Sequence, residues 1–460
     1  MSFDLLRYTG HVFVDAGIAV VETQIGKPCT EIDSGSLRLL EEWLLEQYAN
    51  PPMRAYLSIH FPNSPWCNFN PKIPAERRRA NQLTLLRAYE APLLEPAAAC
   101  PFCGRTAQFL ADKQHIPLLS SAACLVTAPY GRVGTPVCGY CLLAIQFYPL
   151  GTIKATGKPL IWWTPNQKLL QRLTSIHFKK LQRIIALRGE KVQSLDWPRS
   201  RLLESAKLVV DTIDDKREFC DCIGYHFTNY GSGPDFKQYF LPHQLLDFWW
   251  DVKMSSATVR EVHAGIEREA WATPKQKKRP LEEDELESMS LRNRYYEFLS
   301  EAFMSPDWER RAKLVVRKFF LQTKNISRNS FDLAELFLRR VSGMEKYRLE
   351  VIRKAADSIA DLVLDHGEKR WLTNLYMKEL RSRELMNYLL RCQRRLCDAK
   401  RPLEWENVLQ LLDVSSADEN PLGDWWLVRD LLLMRILERV GQTNAPLVRE
   451  LEVMEKEEVE

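Results

Sequence analysis

No stretch of the 460 residues approaches the roughly 18 uninterrupted apolar positions that a membrane-spanning helix requires. The opening Met1-Ser-Phe-Asp-Leu-Leu-Arg has no apolar core flanked by a small-residue cleavage site, so no secretory leader is read there. Both absences make a cytoplasmic protein with no membrane partner the expectation. Catalytic signatures are scarce as well. Val137 separates Pro136 from Cys138 where a zinc deaminase has Pro directly before its Cys-x-x-Cys, and no His-Glu-x-x-His helix occurs. The His-Asp order of a nuclease dyad is missing; the neighbours Asp365-His366 are reversed. Gly151-Thr-Ile-Lys-Ala-Thr-Gly157-Lys158 has one residue too many for a phosphate loop, and Pro159 stands where a magnesium-binding Ser or Thr belongs. Asp211, Asp214 and Asp215 read as a solvated acidic turn. Nothing here gives a positive reason to expect an enzyme.

What remains is ordinary in bulk. Hydrophobic residues make up 45% and charged residues 27%, which suits a globular chain long enough for several domains. The net charge of +4 is small, so the distribution of charge carries more information than its sum. Of eleven cysteines, Cys29, Cys67, Cys124, Cys220 and Cys222 follow no pattern, which suits reduced thiols. Four others do follow one. Cys100 and Cys103, then Cys138 and Cys141, form two Cys-x-x-Cys pairs, with Gly104 after the first and Gly139 inside the second. Such a knuckle aims two thiolates at one point, and a second knuckle completes a tetrahedral shell for structural Zn²⁺. The 34 intervening residues exceed what a compact ribbon needs, so an inserted strand or loop is expected between the knuckles. A closed site of this kind organises a surface and has no open position for chemistry. Buried free thiols, a redox dithiol and iron are the competing readings.

The fold class read from the pattern is α+β: a mixed N-terminal body with an inserted Cys₄ zinc module, followed by an all-α C-terminal helical bundle. In the body, 1–272, Val12-Phe13-Val14 reads as a short strand ending at Asp15-Ala16-Gly17. Leu37, Leu40, Trp43, Leu44 and Tyr48 recur at helical spacing. Residues 61–75 are rich in Pro and Asn and read as an extended, exposed loop, followed by Arg77, Arg78 and Arg79 and a helix through Leu83, Leu86 and Tyr89. The zinc module spans about 96–145, and a basic, largely helical segment spans about 151–201. A charged linker at 273–289 joins the basic run Lys277, Lys278, Arg279 to the acidic run Glu282-Glu283-Asp284-Glu285. Beyond it, in 290–460, helical stripes dominate, for example Phe331 to Val341, Leu349 to Val363 and Leu385 to Leu396, with Gly343 and Gly367 placed as helix ends.

The basic residues suit a polyanion, because each Lys or Arg that neutralises a phosphate releases a condensed counterion. Lys168, Arg172, Lys179, Lys180 and Arg183 interleave with Trp162, Trp163, His177 and Phe178, which could stack on bases. Lys277 to Arg279 and the helical face carrying Arg391, Arg394 and Arg395 offer further backbone contacts. A wet helix face is the competing reading. The 61–81 loop is the candidate for selective contact: Asn63, Ser64, Asn68 and Asn70 can meet base edges while Arg77, Arg78 and Arg79 hold phosphates.

Gly10-His-Val-Phe-Val-Asp-Ala-Gly17-Ile18-Ala19, Phe61-Pro62-Asn63-Ser64 and the two cysteine pairs together resemble the large subunit of type I-B CRISPR Cascade complexes, specifically the subfamily named for its CXXC–CXXC zinc motif. Val12 stands where that opening usually has Pro. The motifs cover about the N-terminal third; beyond it only the layout agrees. The resemblance implies a non-catalytic subunit of a crRNA-guided surveillance complex. Such a subunit recognises the protospacer-adjacent motif on target double-stranded DNA, promotes unwinding and supports the R-loop. Its implied partners are the crRNA, the backbone and handle-binding subunits, small subunits, and a downstream helicase-nuclease or transposition proteins. It also implies that an internal start at Met289, Met304 or Met344 could release the helical bundle as a small subunit. A zinc-containing protein-interaction adaptor without specific nucleic-acid recognition is the alternative.

Overall fold

A computed structural model describes residues 5–67, 73–119, 134–228, 235–271, 291–322, 329–366, 371–372, 375, 382–399 and 425–443. The described chain divides into two compact units. The first holds the described residues up to 243 together with 291–292; the second holds 244–271 and the described residues from 293 onward. The expected linker at 273–289 lies outside the described residues.

The first unit is built around a helix where the sequence suggested a strand. Helix α1 runs Val12–Ile25. A short apolar run cannot be told from a buried helix by periodicity alone, and local propensity yields to tertiary context. Two features fix the helix. Asp15 accepts hydrogen bonds from the backbone N–H groups of Thr9 (2.7 Å) and Gly10 (3.0 Å), while Gly10 itself takes a left-handed φ of +83°. Gly26, with φ +76°, ends the helix by donating to the Glu22 carbonyl. Every residue from Phe13 to Glu22 is buried, so α1 shows no polar face, as expected of a helix packed on all sides.

Helices α2 (Ser34–Ala49), α3 (Pro51–His60) and α4 (Ala75–Leu86) follow. The Asp33 carboxylate caps α2 by accepting from Ser36 N at 2.7 Å. Strands β1 (Phe109–Ala111) and β2 (Thr135–Val137) form an antiparallel pair, Leu110 opposite Pro136. They lead into α5 (Gly139–Phe147). Strands β3 (Ile153–Ala155) and β4 (Lys158–Trp163) form a hairpin through Thr156 and Gly157, so the segment that mimics a phosphate loop is a strand turn. Helices α6 (Gln167–Ala186) and α7 (Pro198–Thr212) precede β5 (Cys222–Thr228) and β6 (Asp235–Leu241). The four longer-range strands make one antiparallel sheet in the order β3-β4-β5-β6. Residues 187–197 return along β3: Leu195 N donates to the Lys154 carbonyl at 2.9 Å and Thr156 N to the Leu195 carbonyl at 2.7 Å. At the opposite edge, Asp235 to Gln238 of β6 are exposed.

Buried histidines make this unit acid-sensitive. His60 lies between Tyr56 and Tyr148, with its Nδ1 2.8 Å from the Tyr148 hydroxyl. Burial, with a smaller contribution from Lys154, lowers its pKa to about 3; burial and Lys180 do the same for His177. Protons that the unfolded chain binds below pH 6.5 are thus refused by the folded one. Stability is complete above that pH and falls as acid titrates towards 3, by on the order of 1 kcal/mol per pH unit for each histidine. Urea melts between pH 7 and 4 should show this slope, and His60→Gln combined with His177→Gln should make it shallower, leaving the share of His11, His115 and His226, which burial also lowers. An unchanged slope in the double variant would refute the assignment.

In the second unit the regular elements among the described residues are all helical. They are α8 (His243–Met254, whose first residue belongs to the first unit), α9 (Ala257–Ala270), α10 (Arg294–Phe303) and α11 (Trp308–Val315). A π-helical turn, Val316–Phe320, then leads to α12 (Phe331–Val341), α13 (Lys346–His366), α14 (Ser382–Asp398) and α15 (Trp425–Thr443). Phe337 meets both Phe248 and Phe320 edge-to-face in its core. Asp430 is fully buried, and its carboxylate is paired by Arg317 (2.7 Å) and Arg429 (2.6 Å). A buried charge paired twice over in this way fixes how α15 seats against the π-helical turn.

Candidate metal centre

The first knuckle sits in a tight turn. Ala99 bridges Thr106, Cys100 N donates to the Arg105 carbonyl at 2.7 Å, and Gly104 N returns to the Cys100 carbonyl at 2.8 Å. Gly104 needs its left-handed φ of +76° to close that turn. The second knuckle begins where β2 ends. Cys138 is the N-cap of α5, and its Sγ accepts from Cys141 N at 3.4 Å. A side chain at position 139 is excluded, because a Cβ there would lie 2.0 Å from the backbone nitrogen of Tyr89. Gln108 ties the same corner: its Oε1 accepts from Gly139 N at 2.9 Å and its Nε2 donates to the Tyr89 carbonyl at 2.7 Å. The β1–β2 pair therefore carries the two knuckles to one place, and it is part of the insert that the long spacing called for.

The four sulfur atoms of Cys100, Cys103, Cys138 and Cys141 all lie within 4.8 Å of one another, with Cys103 and Cys138 only 3.3 Å apart. Four thiolates at about 2.3 Å from a tetrahedral Zn²⁺ are separated by roughly 3.8 Å, so the donor set fits such an ion. Cys100, Cys138 and Cys141 are buried and Cys103 is half-buried. Hydrogen bonding from Cys103, Cys138 and Cys141 pulls the Cys100 thiol strongly towards thiolate, while the same crowding holds Cys141 protonated. A bound cation would remove that conflict. A divalent ion with four thiolates carries net charge −2, and its surroundings are cationic: Arg7 donates to the Cys103 carbonyl, and Arg105 donates to the Leu5 carbonyl at 2.8 Å while lying over the Tyr140 ring. Sequence reasoning missed these outer partners, and also His11, whose ring packs on Phe102 at 4.3 Å. Only the placement of Arg105 two residues beyond Cys103 could have flagged one of them.

The selective loop is not what its composition suggested. Residues 61–67 are a compact turn with Phe61, Ser64 and Trp66 buried. Ser64 Oγ is spent on Trp66 N (3.2 Å) and on Cys67 Sγ, and so cannot reach a base. The turn is drawn inward because the Trp66 indole donates to the buried Gln146 side chain at 2.9 Å, and an indole needs such a partner when buried. Asn63 stays exposed with a left-handed φ of +62°. Asn68 and Asn70 lie outside the described residues. Arg77, Arg78 and Arg79 are on the first turns of α4; Arg77 is exposed, Arg78 is half-buried, and Arg79 is engaged by Glu42.

On α6, Lys168, Lys179 and Arg183 are exposed and share one face with Arg172, by the 100° step of a helix. Arg172 is paired with Glu218 at 2.9 Å. The interleaved aromatics are not available for stacking: Trp162, His177 and Phe178 are core residues, and Trp163 donates to Asp15 at 3.3 Å. The helix repeat that exposes the cations turns His177 and Phe178 inward, and Trp162 and Trp163 belong to β4. In the second unit, Arg391, Arg394 and Arg395 are exposed together on α14. Lys277, Lys278 and Arg279 lie outside the described residues. Among the described residues no helix is long and apolar enough to cross a membrane. Comparison of the chain with protein-family models, with curated proteins and with solved structures gave no match.

Proposed function

We propose that this chain is the non-catalytic large subunit of a crRNA-guided type I-B surveillance complex, in which a Zn²⁺-pinned N-terminal body addresses target duplex DNA beside the protospacer. One observation carries the reading. The three segments on which the resemblance rests, far apart in sequence, pack on one another. Gly17 lies against the Ala144 carbonyl just after the second cysteine pair, His11 lies against Phe102 inside the first, and the Phe61 segment joins them through Tyr148, on which both Phe13 and Phe61 pack. They form a single architectural unit, which is what a family-defining motif set would encode. The exposed cations on α4, α6 and α14 supply the dispersed phosphate contacts that such a subunit needs when base pairing by the guide reads the sequence.

The test is binding of the assembled complex, with and without this chain, to duplexes carrying every flanking motif across a salt series. Affinity is expected to depend on both the flank and the chain. Asn63→Ala should narrow the spread among flanks more than it lowers mean affinity. Arg77→Ala with Arg78→Ala should weaken all flanks alike and reduce the salt slope by about 2, near 0.9 for each lost phosphate contact. Equal grip on every flank, whether or not the chain is present, would end the proposal.

A further inference from the structure

A cavity of about 630 Å³ opens in the first unit between β3, the second half of α6, the returning segment 187–195 and the start of α7. That is the size of a small-molecule site. Its walls are of two kinds. Leu181, Ile184, Leu187, Val192 and Leu195 give an apolar slot, and Leu187 is 72% exposed at its rim. Lys154, Lys180, Arg183 and Arg201 add four positive charges against the single carboxylate of Glu204, which Arg201 already engages at 3.0 Å. One lining group has no explanation in the fold. His177 is 6% exposed, and its Nε2 is buried with no hydrogen-bond partner. Burial keeps that ring neutral, so the nitrogen can serve as donor or acceptor to a neutral polar edge.

We infer that this cleft receives one nucleotide of a single-stranded nucleic acid, its base in the apolar slot and its phosphate on Lys154 and Arg183. The inference deepens the nucleic-acid reading above and rests on it. An apolar slot with a buried polar atom and a cationic rim matches a nucleobase with its phosphate. An apolar acid would leave the imidazole unsatisfied, and a duplex keeps its bases stacked and out of reach. Arg183 belongs both to the cleft and to the exposed stripe of Lys168 and Lys179, so a strand following that stripe arrives at the opening.

The experiment uses the full chain with its metal and a labelled, 5′-phosphorylated short single strand, read by fluorescence anisotropy, with AMP as competitor. Lys154→Ala with Arg183→Ala should weaken binding about tenfold. Arg260→Ala with Lys346→Ala, the same charge removed from exposed sites elsewhere, should change it less than twofold. Ile184→Trp fills the slot without altering charge and should also weaken binding about tenfold. Leu187→Glu, at an exposed position that leaves the core untouched, adds a negative charge beside the phosphate contacts and should weaken binding at least as much, should the first variant fold poorly. Competition by AMP, lost in the same variants, assigns a free nucleotide as the source; absence of competition assigns a nucleotide within a strand. Unchanged affinity in Leu187→Glu, or equal losses in the cleft and control pairs, overturns the inference. Flank discrimination by the assembled complex is a separate readout, so either claim can fail alone.

Discussion

Cys100→Ser is expected to abolish stoichiometric zinc and to lower the melting temperature of the first unit by more than any surface substitution. Structural zinc sites contribute apparent binding energies on the order of 10 kcal/mol to folding, and loss of one ligand removes several of these. Cys138→Ser gives a sharper comparison. Cys138 also caps α5 through its Sγ, and a serine oxygen can take over the cap but is a poor zinc ligand. Equal losses in the two variants therefore isolate the metal from the cap. Elemental analysis of the purified chain and thermal melts with and without a chelator are the measurements. Identical melts in both conditions would mean that four free thiols suffice.

Gly17→Val is expected to destabilise the first unit by about 3 kcal/mol or more, at the upper end of overpacking penalties. A Cβ at this position would lie 1.8 Å from the Ala144 carbonyl oxygen, a backbone atom that cannot rotate away. Either α1 or α5 must shift, and α5 is capped by Cys138 and contains Cys141, so the damage should also appear as weaker metal retention in competition with a chelator. Gly265→Ala provides the contrast. That glycine lies inside α9 with nothing within 4 Å of an added Cβ, and the change should stabilise by roughly 0.5–1 kcal/mol. Urea denaturation of the two variants beside the parent protein checks both signs. A neutral Gly17→Val would show that the helices are not in contact there.

The cysteine centre was legible because its information is local: a fixed spacing and two glycines suffice to define each knuckle. The basic stripe of α6 was legible for the same reason, since helical spacing sorts exposed cations from buried leucines. What escaped depends on partners remote in the chain. Val12-Phe13-Val14 looks like a strand until α5, α6 and β4 surround it and Asp15 ties the preceding turn at Thr9 and Gly10 to the helix. Ser64 looked available until the Trp66 indole found Gln146, eighty positions away. His177 and Phe178 sat among lysines in sequence and proved to be core residues, because adjacent helical positions point in different directions. The division of the chain at 243 is equally non-local: α8 and α9 belong with the later helices through rings such as Phe248 against Phe337.

The four-stranded sheet has a consequence for assembly. Its β3 margin is taken up by the chain itself, where Leu195 bonds to Lys154 and Thr156, and its β6 margin carries the charged pair Asp235 and Lys237. Charges on an open edge discourage unselective edge-to-edge pairing. Among the described residues, a companion strand that adds to this sheet would therefore have to do so along β6 and match its charges.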